Sequence, residues 1–200
     1  MEITSELPGW ELWWVSLDGG AVDEPAATAA LRRAEEGVRR RLRLETLAED
    51  TVVAAVRKLF RAAGCDPTRY RPSSEALIRR VLKGETLPAI HPLVDLNNAL
   101  SITLHVPSCI MAAGTIEPPF VLRAGREGET MASLRGPFPL EGKPLLADAR
   151  GPFGTPITDS ERVKVHPATR QALLVAYLPA GMGLAPLAWQ LLGEWGAIPA

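Results

Sequence analysis

Proline 107 divides this 200-residue chain into two parts of different pattern. Before it, apolar side chains recur at helical spacing. From residue 108 to 178, glycines and prolines cut the chain into short apolar runs: FVLRA, TMASL, PLLADA and ALLVAYL. The first pattern predicts amphipathic helices, and the second predicts strands of a largely antiparallel, irregular sheet system. The expected class is α+β, with a helical layer giving way to sheet within a single domain over 1–200.

In order along the chain, WELWWVSL (10–17) reads as a strand. Trp13, Val15 and Leu17 alternate with Trp14, Ser16 and Asp18, and Gly19–Gly20 ends it. A helix is expected from Pro25 to Ala48 on the stripe Leu31, Ala34, Val38, Leu42. Asp50 is positioned to cap a second helix, with Val52, Val53, Val56, Leu59 and Phe60 on its apolar face. A third is expected over 69–84, with Leu77, Ile78, Val81 and Leu82 inward and Gly84 as its stop. Residues 181–195 read as an apolar terminal helix that docks on the domain, the alternative being a homodimer contact.

The composition, 46% hydrophobic and 22% charged, is that of a globular chain. No apolar run reaches the ~18 residues of a membrane span, so no membrane partner is expected. The acidic N-terminus does not read as a secretory leader. Two cysteines, Cys65 and Cys109, make no disulfide framework, and a cytoplasmic setting is expected. Net charge is −1 but uneven: residues 31–83 carry fourteen Lys and Arg against seven acids. Such a block points to an anionic partner. Glu35 and Glu36 stand four residues before Arg39 and Arg40, which favours a solvated ion-paired face. Arg41 and Arg43 have fewer evident partners, and Arg57, Lys58 and Arg61 sit opposite the apolar face of the second helix.

The densest chemistry lies in LPAIHPLVDLNNALSITLHVPSC (87–109). On a helical wheel, Leu93, Leu96, Leu100 and Leu104 form the apolar stripe, and His91, Asp95, Asn98 and His105 fall roughly opposite. Paired asparagines have poor helix propensity, so Asn97 and Asn98 need side-chain partners: neighbouring loops, or a ligand. The later loop 151–170 adds Thr158, Asp159, Ser160, Arg162 and Lys164. No zinc-type spacing, nucleophile elbow or phosphate loop is present, so no metal or cofactor is expected. The remaining small polar groups suit recognition of a polar small molecule, or positioning of a water to hydrolyse an activated ester.

At RPSSEALIRRVLKG, HPLVDLNNALSITLHVP and DSERVKVHPATRQALLVAY, over about 69–178, the chain resembles the B3/B4 domain family. That domain lies inside the β subunit of bacterial phenylalanyl-tRNA synthetase and also occurs in short stand-alone proteins. The resemblance implies a β-sandwich-like core, with 1–68 as an N-terminal strand and helical cap and 181–195 as a C-terminal helix. It implies a tRNA or aminoacyl-tRNA partner, and no DNA. In the synthetase the domain edits tyrosine wrongly attached to phenylalanine tRNA. Of that editing motif, Thr–Asn reads Asn97–Asn98 here, a histidine reads Cys109, and the glutamate that recognises the tyrosine hydroxyl reads Val175. The tyrosine specificity therefore does not carry over, and a small or apolar amino acid fits Val175 better. The resulting expectation is hydrolysis of mischarged aminoacyl-tRNA in trans, or else non-catalytic binding of tRNA, an amino acid or a small metabolite. Asn97, Asn98 and Asp159 are the expected catalytic groups. Asp95, Cys109, Thr158, Ser160, Arg162, Lys164 and Val175 are expected to meet substrate, and Arg41, Arg43, Arg57, Lys58 and Arg61 the RNA.

Overall fold

The computed structural model of the chain describes residues 2–197. In chain order the elements are β1 (Ile3–Ser5), β2 (Trp10–Asp18), α1 (Glu24–Arg41), α2 (Thr51–Ala62), α3 (Ser73–Leu82), α4 (Pro92–Leu104) and β3 (Ser108–Ala112). They continue as β4 (Phe120–Ala124), β5 (Thr130–Ser133), β6 (Gly136–Pro139), β7 (Pro144–Asp148), β8 (Gly151–Gly154), β9 (Gln171–Pro179) and α5 (Leu184–Glu194). Three sheets have the orders β2-β9-β3, β1-β4-β7-β8 and β5-β6, and every pair is antiparallel except β1 with β4. The class is α+β, as the change of pattern at Pro107 implies.

The central strand is β9. Its apolar run QALLVAYLP has no polar side to offer water, so both faces must be covered, and eight of its nine residues are buried. On one face Trp13 of β2 meets the edge of Trp189 of α5. On the other, Trp10 packs against Phe60 of α2 and Tyr177 of β9 itself. The two larger sheets and the helices share one core, in which Leu17, Leu31, Phe60, Leu96 and Leu174 are all inaccessible or nearly so. Each such side chain contributes about 2 kcal/mol through burial.

α1 ends at Arg41, short of the expected Ala48. Leu42 turns extended there, and the Arg43 guanidinium donates to the carbonyls of Arg39, Arg40 and Leu42, groups a continuing helix would have used. Glu35 is not on a solvated face. It is 1% exposed, accepts the Leu87 N–H at 2.6 Å and pairs with Arg32 at 2.7 Å. Asp50 caps α2 as expected, accepting from the N–H groups of Val52 and Val53. It also meets His105 Nδ1 at 3.0 Å, where His105 closes α4 in the left-handed conformation. The side of α4 opposite its leucines is buried as well, because α1 packs along it: Asp95, Ser101 and Ile102 are each at most 1% exposed.

Candidate functional site

The polar chemistry of the sheet side converges beside Gly154, the last residue of β8. A Cβ there would lie 3.2 Å from Asp159 Oδ1, 3.5 Å from Tyr177 Oη and 3.9 Å from Cys109 Sγ. Carboxyl, phenol and thiol thus surround the space that glycine leaves open. Cys109 sits opposite Val175 in the β3–β9 register, and Tyr177, two residues on, shares their face. The Cys109 thiol reaches Tyr177 Oη at 3.9 Å. Asp159 arrives on the loop after β8. There Thr155 Oγ1 accepts the N–H groups of Ile157 and Thr158 and donates to the Thr158 carbonyl, and a bridge joins Gly154 to Asp159.

Asp159 is half-buried as a residue, but its Oδ1 is sealed and has no hydrogen-bond partner among the described residues. Burial pushes its carboxyl from 3.8 up to about 8. Burial, and after it the charge of Asp159, holds the Cys109 thiol well above its ordinary value; the Tyr177 contact opposes this and is outweighed. Tyr177 is pushed up by burial first, then by its two neighbours. At neutral pH all three groups carry their protons. Cys109 is therefore no thiolate nucleophile, and Asp159 is the one group that exchanges a proton near physiological pH.

The candidates from the sequence separate on this scaffold. Cys109, Asp159 and Val175 belong to the Gly154 face, although Cys109 is 1% exposed and Val175 fully covered. Asn97 is anchored on the other side of β3. Its carbonyl accepts from Ser108 Oγ at 3.2 Å, and Ser108 pairs with Ala176, on the face opposite Cys109. The Asn97 Oδ1 is buried there without a partner among the described residues, and Asn98 beside it is half-buried. Asp95 is occupied within the fold, accepting the Ile90 N–H at 3.0 Å and Thr28 Oγ1 at 3.5 Å. Ser160 is buried and takes the Arg162 N–H. Arg162 grips both carboxylate oxygens of Asp148 at 3.0 Å and donates to the carbonyls of Thr115 and Gly151, so its guanidinium holds the loop rather than facing a ligand. Thr158 is half-buried in the Thr155 turn, and Lys164 is exposed.

The basic set divides likewise. Arg57 is committed to Glu75 and Thr68, and Arg43 to the end of α1, whereas Arg41, Lys58 and Arg61 are exposed. Tyr177 and Gly154 were not singled out by the sequence reading. Tyr177 sits inside an apolar run, but its two-residue offset from Val175 is the signal that places it on the same face. A cleft of about 690 Å³ opens farther along that face, with Trp14, Ser16 and Leu173 on one wall and Ile116 and Phe120 on the other. Trp14, Val175 and Cys109 form one row across the sheet, from the cleft toward Gly154. Among the described residues no group of three or more His, Cys, Asp or Glu could hold a metal ion, and no helix is long and apolar enough to cross a membrane.

The family model described as the B3/4 domain matches residues 55–185. The chain belongs to the B3/4 domain family. The part matching the B3/4 model runs from within α2 to the start of α5 and contains Cys109, Gly154, Asp159 and Tyr177. The B3/4 chain is also similar to an N-terminal fragment of the phenylalanyl-tRNA synthetase β-subunit from Pyrococcus horikoshii. Identity is 22% and the TM-score 0.44, over 53% of this chain and 40% of that one. The B3/4 chain thus spans under half the length of that fragment. No curated protein matches it.

Proposed function

We propose that this B3/4 domain acts on aminoacyl-tRNA in trans, hydrolysing the ester that joins amino acid to RNA. The observation that carries the reading is Asp159: a carboxyl whose Oδ1 lacks a partner among the described residues, raised to about 8 by burial. As it ionises it can take a proton from a water aimed at the ester carbon. The row Trp14, Val175, Cys109 supplies an apolar floor suited to a small or apolar aminoacyl side chain.

The test is release of amino acid from a panel of mischarged tRNAs. Wild type is expected to deacylate at least one member. Asp159→Asn is expected to slow that reaction 100-fold or more, within the range of a lost general base. No turnover across the panel overturns the reading.

The second reading is a binding module without catalysis. It is favoured by the closure of Cys109 and Val175, which leaves the innermost part of the face filled by the protein's own side chains. Tight binding of aminoacyl-tRNA with no hydrolysis would distinguish it.

A further inference from the structure

Of the cations between residues 31 and 83, some are tied to carboxylates and others are not. Arg32 turns onto Glu35, Arg57 and Arg71 onto Glu75, and Arg80 onto Glu85, while Arg39 lies 4.0 Å from Glu35 and donates to the Glu85 carbonyl. Arg33 and Arg41 have no carboxylate partner among the described residues, and Arg40 holds Glu36 only loosely, at 3.6 Å in the open. These last three arginines stand around one groove of about 210 Å³ between α1 and α5, floored by Ile102, Thr103 and His105 at the end of α4, with Trp195 on the α5 side. Residues 33, 37, 40 and 41 share a face of α1. Between the arginines lies Gly37, where a Cβ would meet nothing within 4 Å. The missing side chain therefore relieves no clash; it keeps the groove open. Glu194 sets one carboxylate in the lining against three guanidiniums.

We propose that this groove is a single-stranded RNA site, with phosphates on Arg33, Arg40 and Arg41 and a base on the indole of Trp195. The proposal rests on the reading of tRNA as partner but uses a surface apart from Asp159. Guanidiniums take phosphate oxygens two at a time. Arg33 and Arg41 are separated by roughly 12 Å along the helix axis, so they meet different phosphates of one strand. A half-buried indole beside a cationic track is the arrangement that holds unpaired bases without reading their sequence. The volume admits a ring and excludes a duplex.

The experiment is a salt titration of binding, using the full chain, an unstructured RNA of about twelve nucleotides and bulk tRNA. Three phosphate contacts give wild type a log–log slope of about −2. Arg33→Ala/Arg41→Ala is expected to lose about 1.4 of that slope and to weaken binding tenfold or more. Gly37→Leu changes no charge and improves helix propensity. It is expected to weaken binding to a similar degree with an undiminished melting temperature, which separates a blocked groove from a misfolded chain. Wild-type affinity in both variants overturns the groove, as does an acidic peptide that displaces RNA at equal charge. Absence of RNA binding by wild type overturns both the groove and the tRNA reading. Intact RNA binding without deacylation removes the hydrolytic reading alone and leaves the groove standing.

Discussion

Gly154 and Asp159 fit each other so closely that a methyl group on the first would come within 3.2 Å of Oδ1 on the second. The carboxyl cannot give way toward the sheet, where Tyr177 and Cys109 already stand. Gly154→Ala is therefore expected to displace the carboxyl by a few tenths of an ångström. Under the general-base role proposed for Asp159, that displacement should lower deacylation about tenfold. Stability should change by no more than about 1 kcal/mol, since one methyl at the end of β8 overpacks a loop that can adjust. Turnover measured beside a urea melt checks both parts; unchanged turnover would detach Asp159 from the chemistry.

The same carboxyl makes stability depend on pH in an unusual direction. In the unfolded chain Asp159 titrates near 3.8, and in the folded chain near 8. Between those values the folded state keeps a proton the unfolded state has released, so stability falls as pH rises through that window and is flat beyond it. Asp159→Asn removes the titration. The variant should exceed wild type by about 2 kcal/mol at pH 8, a figure discounted for the partial exposure of the residue, and match it near pH 4. Turnover has the opposite sign: it should rise with pH through about 8 as the base loses its proton. Thermal melts at the two pH values decide the first point, and a pH–rate profile the second.

What was legible beforehand follows from how locally each feature is determined. The alternation of Trp13, Val15 and Leu17 and the capping of α2 by Asp50 are set by neighbours in sequence, and both appear as read. The end of α1 depended on Arg43 folding back onto carbonyls, which periodicity does not encode. Asp95 reads as a ligand group because it is polar on a helix; the Ile90 N–H just before the helix occupies one of its oxygens, and Thr28, 67 residues away, reaches the other. Cys109 and Asp159 stood out as reactive types, yet only the pairing of β3 with β9 brings Tyr177 to them. Asn97 and Cys109 are twelve positions apart and both read as pocket-facing, but one step along β3 puts Ser108, the partner of Asn97, on the other side of the sheet.

Glu75 is 2% exposed and receives Arg57 at 2.9 Å and Arg71 at 3.4 Å, tying α2 to α3. Removing the acid strands Arg57, which has little water around it, and takes a partner from Arg71, which is more open. Glu75→Ala should cost about 3–5 kcal/mol. The double change Glu75→Leu/Arg57→Met, which leaves no unpaired charge on that contact, should recover much of it. Chemical denaturation of the three chains is the measurement. If the single variant is neutral, the pair does not hold α2 on α3.

Arg162 and Asp148 hold the loop that carries Asp159, so their pairing should register in both stability and activity. Burial, the largest single influence, pushes the Asp148 carboxyl up. It is outweighed by the Arg162 hydrogen bonds, the N–H groups of Glu117 and Arg150 and the Arg162 charge, and the net shift is downward. A carboxyl lowered in the folded state stabilises the fold above its unfolded value and loses that contribution as pH falls through the folded one. Arg162→Met leaves the carboxylate buried with only backbone partners. It should destabilise the chain by about 3 kcal/mol at pH 7. The deficit should shrink toward pH 4, because Asp148 in the variant protonates earlier than in wild type. Turnover should fall with it, through displacement of Asp159. Urea melts at both pH values give the stability terms. A deficit independent of pH would mean that Arg162 acts through its carbonyl contacts to Thr115 and Gly151 rather than through the carboxylate.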